Sequence, residues 1–288
     1  MKKLLLLVFI SLIVSSFSEK QIKWTAIGDS ITYLNEHTDE AGNRITKGYM
    51  TGVVEKLPKI SYINKGFNGW TASRVAGEIE KLGFEPSAIY TVFLGTNDWW
   101  GGVPLGTIND YKENTGNKTF YGSYRIILNK LRTLNPEAEI VLITPMQRGD
   151  FVYIANYKNN AYGSYKDKNG QFLADFAKAV EIIGKQEKLK VVDLYNDSGI
   201  TLENMVKFKR IKDQSTGHYV NLAYPEYVNK PFNPEADEYP YPPESIAMTY
   251  DGLHPSDEGY VKITGMLVEI FSKMKFKNQV DKVTDTTD

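Results

Sequence analysis

Short apolar runs alternate with segments of helical period along most of the chain. Ile22 to Ile27 reads as a strand ending at Gly28. Ala88 to Leu94 (AIYTVFL) and Glu139 to Thr144 (EIVLIT) are near-continuous apolar, β-rich runs, as expected of strands covered on both faces. Ile60 to Asn64 and Lys190 to Leu194 add two shorter strands. Between them, Tyr49–Leu57, Thr71–Leu82, Tyr121–Leu134 and Gln171–Lys188 read as helices. In the second of these, Val75, Ile79 and Leu82 share a face and Gly83 is a stop signal; in the third, Tyr124, Ile127, Leu128 and Leu131 do the same. A final helix, Ser256–Phe276, opens with Ser256 and Glu258, both suited to a first turn. Strands alternating with helices predict parallel βαβ units and a three-layer α/β/α domain. Right-handed crossovers place every strand's C-terminal end at one edge, where ligands bind.

Two stretches break this rhythm. Lys2 and Lys3 precede an apolar run, Leu4 to Val14, followed by Ser15-Ser16-Phe17-Ser18. This is the layout of a secretory signal peptide over residues 1–18, and the run falls short of the about 20 apolar residues a membrane span needs. An uncleaved N-terminal anchor is the other reading of it. The second stretch, 207–250, interrupts the alternation with Tyr219, Tyr224, Tyr227, Tyr239 and Tyr241 among Pro225, Pro231, Pro234, Pro240, Pro242 and Pro243. It is expected to lie over the domain, either roofing a cleft or serving as structural cover. No repeat or low-complexity linker divides 19–277, and 278–288 is a polar tail.

Composition then narrows the chemistry. Of 288 residues, 42% are hydrophobic and 24% charged, which is ordinary globular usage. Lys+Arg 34 against Asp+Glu 35 gives a net charge of −1, so there is no global basic field for nucleic acid or an anionic membrane. Cleavage after Ser18 removes two of the basic residues and leaves −3. Cysteine is absent, which removes thiol nucleophiles, disulfides and cysteine-bound metals together. An exported, cystine-free chain of this size suits a bacterial periplasm or exterior. The only imidazoles are His37, His218 and His254, and no metal or other cofactor is expected.

The candidate chemistry sits where strands end. The first strand runs into Gly28-Asp29-Ser30-Ile31-Thr32; such a turn is usually only a turn, and Thr32 stands where a Gly-x-Ser-x-Gly elbow needs its second glycine. The second strand leads into Asn64-Lys65-Gly66-Phe67-Asn68-Gly69-Trp70-Thr71, whose glycines serve backbone geometry or leave an amide open to an anion. The third ends in Gly95-Thr96-Asn97-Asp98, an Asn/Asp turn or an amide donor aimed at the same edge. Asp251-Gly252-Leu253-His254 stands directly before the last helix. A serine nucleophile needs a neutral imidazole to take its proton and an acceptor to fix that imidazole's tautomer, and this loop carries both groups.

Taken in order, Gly-Asp-Ser, Asn-x-x-x-x-Gly, Gly-Thr-Asn-Asp and Asp-x-x-His resemble the four blocks of the SGNH (GDSL) hydrolases, over residues 22–275. The resemblance implies a flavodoxin-like sheet of five parallel strands and a serine ester hydrolase. It implies Ser30 as nucleophile, His254 as base and Asp251 as its orienting partner. The Ser30 and Gly69 amides and the Asn97 side chain would form the oxyanion hole, with Asp29 bracing the first loop and Asn64 the second. Gly69 is preferred to Gly66 because it precedes Trp70-Thr71, although Trp70 departs from the polar residue often found there.

Trp99 and Trp100 follow Asn97-Asp98 at once. They are expected either to wall the site for a sugar ring or an aromatic acyl group, or to pack beneath the Tyr/Pro-rich stretch. Arg148 reads first as a solvated loop arginine and otherwise as one that reaches the edge to meet a carboxylate. His37 and His218 read as structural, His218 being a remote candidate for a substrate contact. Export and aromatic loops favour a deacetylase acting on glycans. The alternatives are a lysophospholipase- or thioesterase-type lipid esterase, and a glycan-binding protein on the same scaffold. A flavin-binding module is disfavoured because the first loop lacks a run of hydroxyls for a phosphate. The small-molecule or glycan ester is the one partner expected, with no nucleic acid and no stable membrane insertion after cleavage.

Overall fold

The computed structural model describes residues 21–274. The expected signal peptide and the polar tail therefore lie outside the described residues. Five parallel strands form the central sheet: β1 (Ile22–Gly28), β2 (Ile60–Gly66), β3 (Ile89–Phe93), β4 (Glu139–Ile143) and β5 (Lys190–Val192), in the order β2-β1-β3-β4-β5. The chain leaves β1 towards β2 and returns to the other side of β1 as β3. The order reverses there, and the crevice for a ligand opens at that point.

Alternation along the strands divides the core into two layers. Ile89 and Phe93 of β3, with Trp24 and Ala26 of β1, face the helices α1 (Tyr49–Lys56) and α5 (Asp257–Ser272). Tyr90 and Val92, with Ile27, Ile140 and Leu142, face α2 (Ala72–Glu78), α3 (Phe120–Leu134) and α4 (Leu173–Glu187). With apolar neighbours on both sides, these strands carry almost no outward polar face, and this is why they read as continuous apolar runs. The domain is thus a three-layer α/β/α sandwich. The expected helix over Thr71–Leu82 is shorter: α2 ends at Glu78 and passes through a Glu78–Lys81 turn, and the Leu82 carbonyl accepts from Lys65 Nζ at 2.9 Å.

The Tyr/Pro-rich stretch forms a hairpin, Lys209–Lys212 with Tyr219–Leu222, and a small core of its own in which Ile211, Tyr227 and Tyr241 meet Val152. Lys209 Nζ is buried 2.6 Å from Asp150 Oδ2, and Arg44 Nη1 donates to the Tyr241 carbonyl at 2.9 Å. The stretch packs as structural cover against residues 150–153. A second, shorter hairpin, Phe151–Val152 with Asn160–Ala161, follows β4; no periodicity in the sequence marked it.

Two strand-end glycines fix how closely the loops approach. A Cβ on Gly66 would sit 2.2 Å from the Tyr33 backbone nitrogen, and one on Gly28 would sit 2.1 Å from Thr32 Oγ1. Gly66 thus lets the end of β2 lie against the backbone of the loop that carries Ser30. Gly66→Ala is expected to cost roughly 1–3 kcal/mol, read as a lowered midpoint in thermal or urea unfolding, because backbone cannot rotate away from the clash. Wild-type stability in that variant would contradict the close approach.

Candidate active site

The site is assembled from four loops at the C-terminal edge of the sheet. Ser30 follows β1 directly. Asp29 Oδ1 accepts from the Ile31 amide at 3.0 Å, which caps the single helical turn Ser30–Tyr33 and fixes the serine at its start. Asn64 ties this loop to the next: its Oδ1 accepts from Gly66 N at 2.8 Å, while its Nδ2 donates to the carbonyls of Thr32 (3.2 Å) and Tyr33 (3.3 Å). Ser256 caps α5 by accepting from Gly259 N, so the loop that carries His254 is anchored to a long helix.

The folded chain brings Ser30, His254 and Asp251 into one hydrogen-bonded row. His254 Nε2 lies 2.8 Å from Ser30 Oγ, and His254 Nδ1 lies 2.7 Å from Asp251 Oδ2. Asp251 is fully buried and its other oxygen accepts from the Leu253 (3.0 Å) and His254 (2.7 Å) amides. A carboxylate can only accept, so Nδ1 carries its proton toward Asp251 and Nε2 is left as the acceptor for the serine hydroxyl. Burial works against an imidazolium here, but the Asp251 charge and hydrogen bond outweigh it and hold His254 above the ordinary histidine range. Tyr250 stacks on the imidazole (5.8 Å between centroids) and Phe151 meets it edge-on (5.4 Å).

The histidine loop is clamped from β4's side. Gly149 N donates to Gly252 O at 2.8 Å and Val152 N to Asp251 O at 3.3 Å. Gly252 has φ +88, and a Cβ there would sit 1.8 Å from Asp150 O, so glycine is required twice over. Nothing local in the sequence announces this contact, because it joins residues about a hundred positions apart.

Gly69 and Asn97 line the same cavity as Ser30 and His254. Gly69 sits at φ +71 in a turn closed by Trp70 N to Phe67 O (3.1 Å). Among the described residues neither the Ser30 nor the Gly69 amide has a hydrogen-bond acceptor, so both are free for a ligand. Asn97 Nδ2 donates to the Trp70 carbonyl at 3.1 Å and, in a long bond of 3.5 Å, to Asp29 Oδ2. The two open amides, with Asn97 Nδ2 once it exchanges its long bond to Asp29 for a ligand, stand at one wall of a cavity that also holds a serine hydroxyl and can stabilise an oxyanion on a substrate carbonyl.

Asp98 reads in sequence as part of an Asn/Asp turn, yet it joins the third loop to the second. It is fully buried, and it accepts from Ala72 N at 2.8 Å and from Ser73 N at 3.4 Å at the start of α2. Burial pushes its carboxyl up to about 7, with the α2 amides pulling the other way; Asp29 is likewise pushed up to about 6 by burial. The available signal was its place at a strand end before two bulky aromatics, but its partners lie outside any local pattern.

The remaining candidates separate. Trp99 is completely buried, its Nε1 donating to Gln171 O at 2.9 Å, so it is a core residue with no face on the cavity. Trp100 does line the cavity. Neither packs beneath the Tyr/Pro-rich stretch; both sit against Tyr162. That stretch does not roof the site either, and Tyr250 is its one residue on the cavity wall; Tyr153, Asn159 and Ala161 of the shorter hairpin region take that place. Arg148 is no solvated loop residue: it is 2% exposed and lines the cavity. His37 stacks on Tyr33 and His218 is exposed in its hairpin, and neither lines the cavity.

Asp98→Ala is expected to leave two α2 amides unsatisfied and to loosen the Gly69 turn. The cost should be about 1–3 kcal/mol in chemical denaturation, with faster amide exchange at Ala72 and Ser73; unchanged exchange there would refute the link.

Comparison with known proteins places this geometry. The model of the GDSL-like lipase/acylhydrolase family matches residues 26–262. A crystal structure of "a possible lipase" from Chitinophaga pinensis is 59% identical, with TM-score 0.87, covering 88% of this chain and 98% of that one. A protein from Lactobacillus plantarum, 19% identical with TM-score 0.58 over 89% of this chain and 99% of its own, shares the fold. No curated protein matches. With a matched segment running from inside β1 into α5, and so taking in all four loops of the site, the chain belongs to the GDSL-like lipase/acylhydrolase family.

Proposed function

We propose that the protein is a serine ester hydrolase that releases short acyl groups, acetyl foremost, from the hydroxyls of glycans through an acyl-enzyme. The observation that carries the reading is the unbroken row from Ser30 Oγ through His254 (2.8 Å) to Asp251 (2.7 Å) at the wall of a cavity of about 290 Å³. Ser30 Oγ attacks the ester carbonyl while His254 Nε2 takes its proton. Asp251 keeps the imidazole in register and stabilises its positive charge. The Ser30 and Gly69 amides and Asn97 Nδ2 receive the growing negative charge. His254 returns the proton to the leaving alcohol, and a water activated in the same way releases the acid.

The cavity wall supports a polar substrate. Asn68, Asn97, Asn159 and Glu40 share it with Trp100 and Tyr153, a mixture suited to sugar hydroxyls and ring faces. A second reading, a lipid-directed esterase, draws on the apolar group formed by Leu34, Phe151, Ala161 and Leu253. A non-catalytic glycan binder has no use for the buried Asp251 behind an aligned histidine. The N-terminal residues 1–18 support export to the periplasm or exterior, and peptide sequencing of the mature N-terminus tests it.

Ser30→Ala should reduce kcat/KM for p-nitrophenyl acetate at least ~10³-fold and abolish labelling by a fluorophosphonate, with an unchanged circular dichroism spectrum. Asn97→Ala should cost about 10²–10³ in kcat. Acetylated glycans assayed beside p-nitrophenyl esters of rising chain length separate the two substrate readings: rates that climb toward octanoate reject the deacetylase.

The pH profile has a defined sign. His254 must be neutral to act, and Asp251 raises its pKa. Activity therefore falls as pH drops through that raised value, with an acid limb above the ordinary histidine range. Asp251→Asn should move the limb to lower pH and lower the plateau by roughly three to four orders of magnitude. A limb that stays in place in this variant would assign it to another group.

A further inference from the structure

Among the described residues, Arg148 is the one cavity-lining cation that the proposed mechanism leaves unused. It follows β4 by a few residues and is 2% exposed. Its guanidinium carbon lies 4.7 Å from the ring centres of both Trp99 and Trp100. Trp99 is itself fixed through Gln171 O, and Trp100 is held edge-on by Tyr162 at 4.8 Å. Among the described residues, only one of the guanidinium's N–H donors, on Nη2, is matched, by the Tyr162 carbonyl at 2.6 Å, and Nε is buried without a partner. Two aromatic rings and a neutral carbonyl thus hold the group in one orientation.

No carboxylate stands within ion-pair distance of it among the described residues. The nearest acid in sequence, Asp150, is taken by Lys209 Nζ (2.6 Å), Tyr165 OH (2.6 Å) and Gly163 N (3.0 Å). Glu40, also on the cavity wall, accepts from Tyr33 OH at 2.8 Å and Asn68 Nδ2 at 3.4 Å. Burial accordingly pushes Arg148 down to about 9, the Asp150 charge opposing this only in part. A buried cation without a counter-ion destabilises the fold, and a neutral side chain of similar volume would fill the same slot. A guanidinium held rigidly on the wall of the cavity that holds Ser30, with donors to spare, is instead suited to a planar anion that enters with the substrate.

We propose that Arg148 is the anion subsite of this cavity, and that the ester it takes carries a carboxylate on its acyl or its alcohol side. The inference rests on the serine-esterase reading and specifies its substrate class. In an acidic sugar the carboxylate would belong to the alcohol; in a half-ester of a dicarboxylic acid it would belong to the acyl group. The guanidinium would pair with either and so orient the ester carbonyl toward Ser30.

Two matched pairs test this. One is p-nitrophenyl hydrogen adipate against its methyl ester, for the acyl side. The other is an O-acetylated methyl glucuronoside against its methyl ester, for the alcohol side. In the wild type, at least one acid should exceed its neutral partner in kcat/KM by about tenfold or more, the strength of one charge-assisted pair. Arg148→Met should bring that ratio to about one or below, and Arg148→Lys should leave an intermediate ratio, since it keeps the charge and loses the fork. A merely structural arginine would change rates on both members of a pair alike and leave the ratio untouched. Wild-type ratios near one in both pairs overturn the proposal, as does an Arg148→Met enzyme that keeps the preference. Should Arg148→Met not fold, Arg148→Lys carries the same comparison, with an unchanged ratio counting against the subsite. Hydrolysis of the neutral esters without any acid preference rejects the subsite alone; no hydrolysis of any of the four rejects the esterase reading and the subsite with it.

Discussion

Three N–H groups converge on the carboxylate of Asp251: the amides of Leu253 and His254 on one oxygen and the imidazole Nδ1 on the other. An acceptor buried this completely would be costly if any of its sites were left unmatched. Here the matching does two things at once. It closes the tight turn before α5, and it fixes the imidazole plane so that Nε2 reaches Ser30, which lies 224 positions away in sequence. The turn exists only because Gly252 tolerates φ +88 with Asp150 O pressed against it. The orientation of one side chain is thereby built into the backbone path of two loops.

Around that row the loops are stitched by buried acids rather than by apolar contacts alone. Asp29 caps the serine turn, and Asp98 caps α2 and so holds the Gly69 turn. Both carboxyls are pushed up by burial, to about 6 and about 7, because the amides that bond them offset only part of the lost hydration. Short, strained loops have little surface to bury, so directional hydrogen bonds are the means left to hold them. Amide donors without protein acceptors at Ser30 and Gly69 are the counterpart of that arrangement: the scaffold satisfies its own needs elsewhere and leaves these two free.

The cavity has two unlike walls. One carries the serine, the imidazole and the neutral donors. The other is built from the residues after β4, where the Arg148 guanidinium packs over both Trp99 and Trp100. The Tyr/Pro-rich stretch stands behind this second wall, joined to it through the Lys209–Asp150 pair. Its contribution is to cover Asp150 and Val152 and so to hold the segment that clamps the histidine loop.

Much of the fold was legible along the chain. The apolar runs of β3 and β4, the helical face of α3 and the capping residues ahead of α5 are local patterns, set by backbone periodicity and hydrogen bonding within a few residues. The blocks that end β1, β2 and β3 were visible as Gly-, Asn- and Asp-rich turns for the same reason. What folding alone decided was the company each loop side chain keeps. Trp99 and Trp100 are adjacent and alike in sequence, yet one is core and the other faces the cavity. Arg148 reads as a solvated loop residue until it packs over the two rings. Asp98 reads as a turn until α2 starts against it, and the hairpin 151–161 carried no periodic mark at all. Burial of a loop residue depends on which distant segment packs over it, and a chain's local pattern holds no record of that segment.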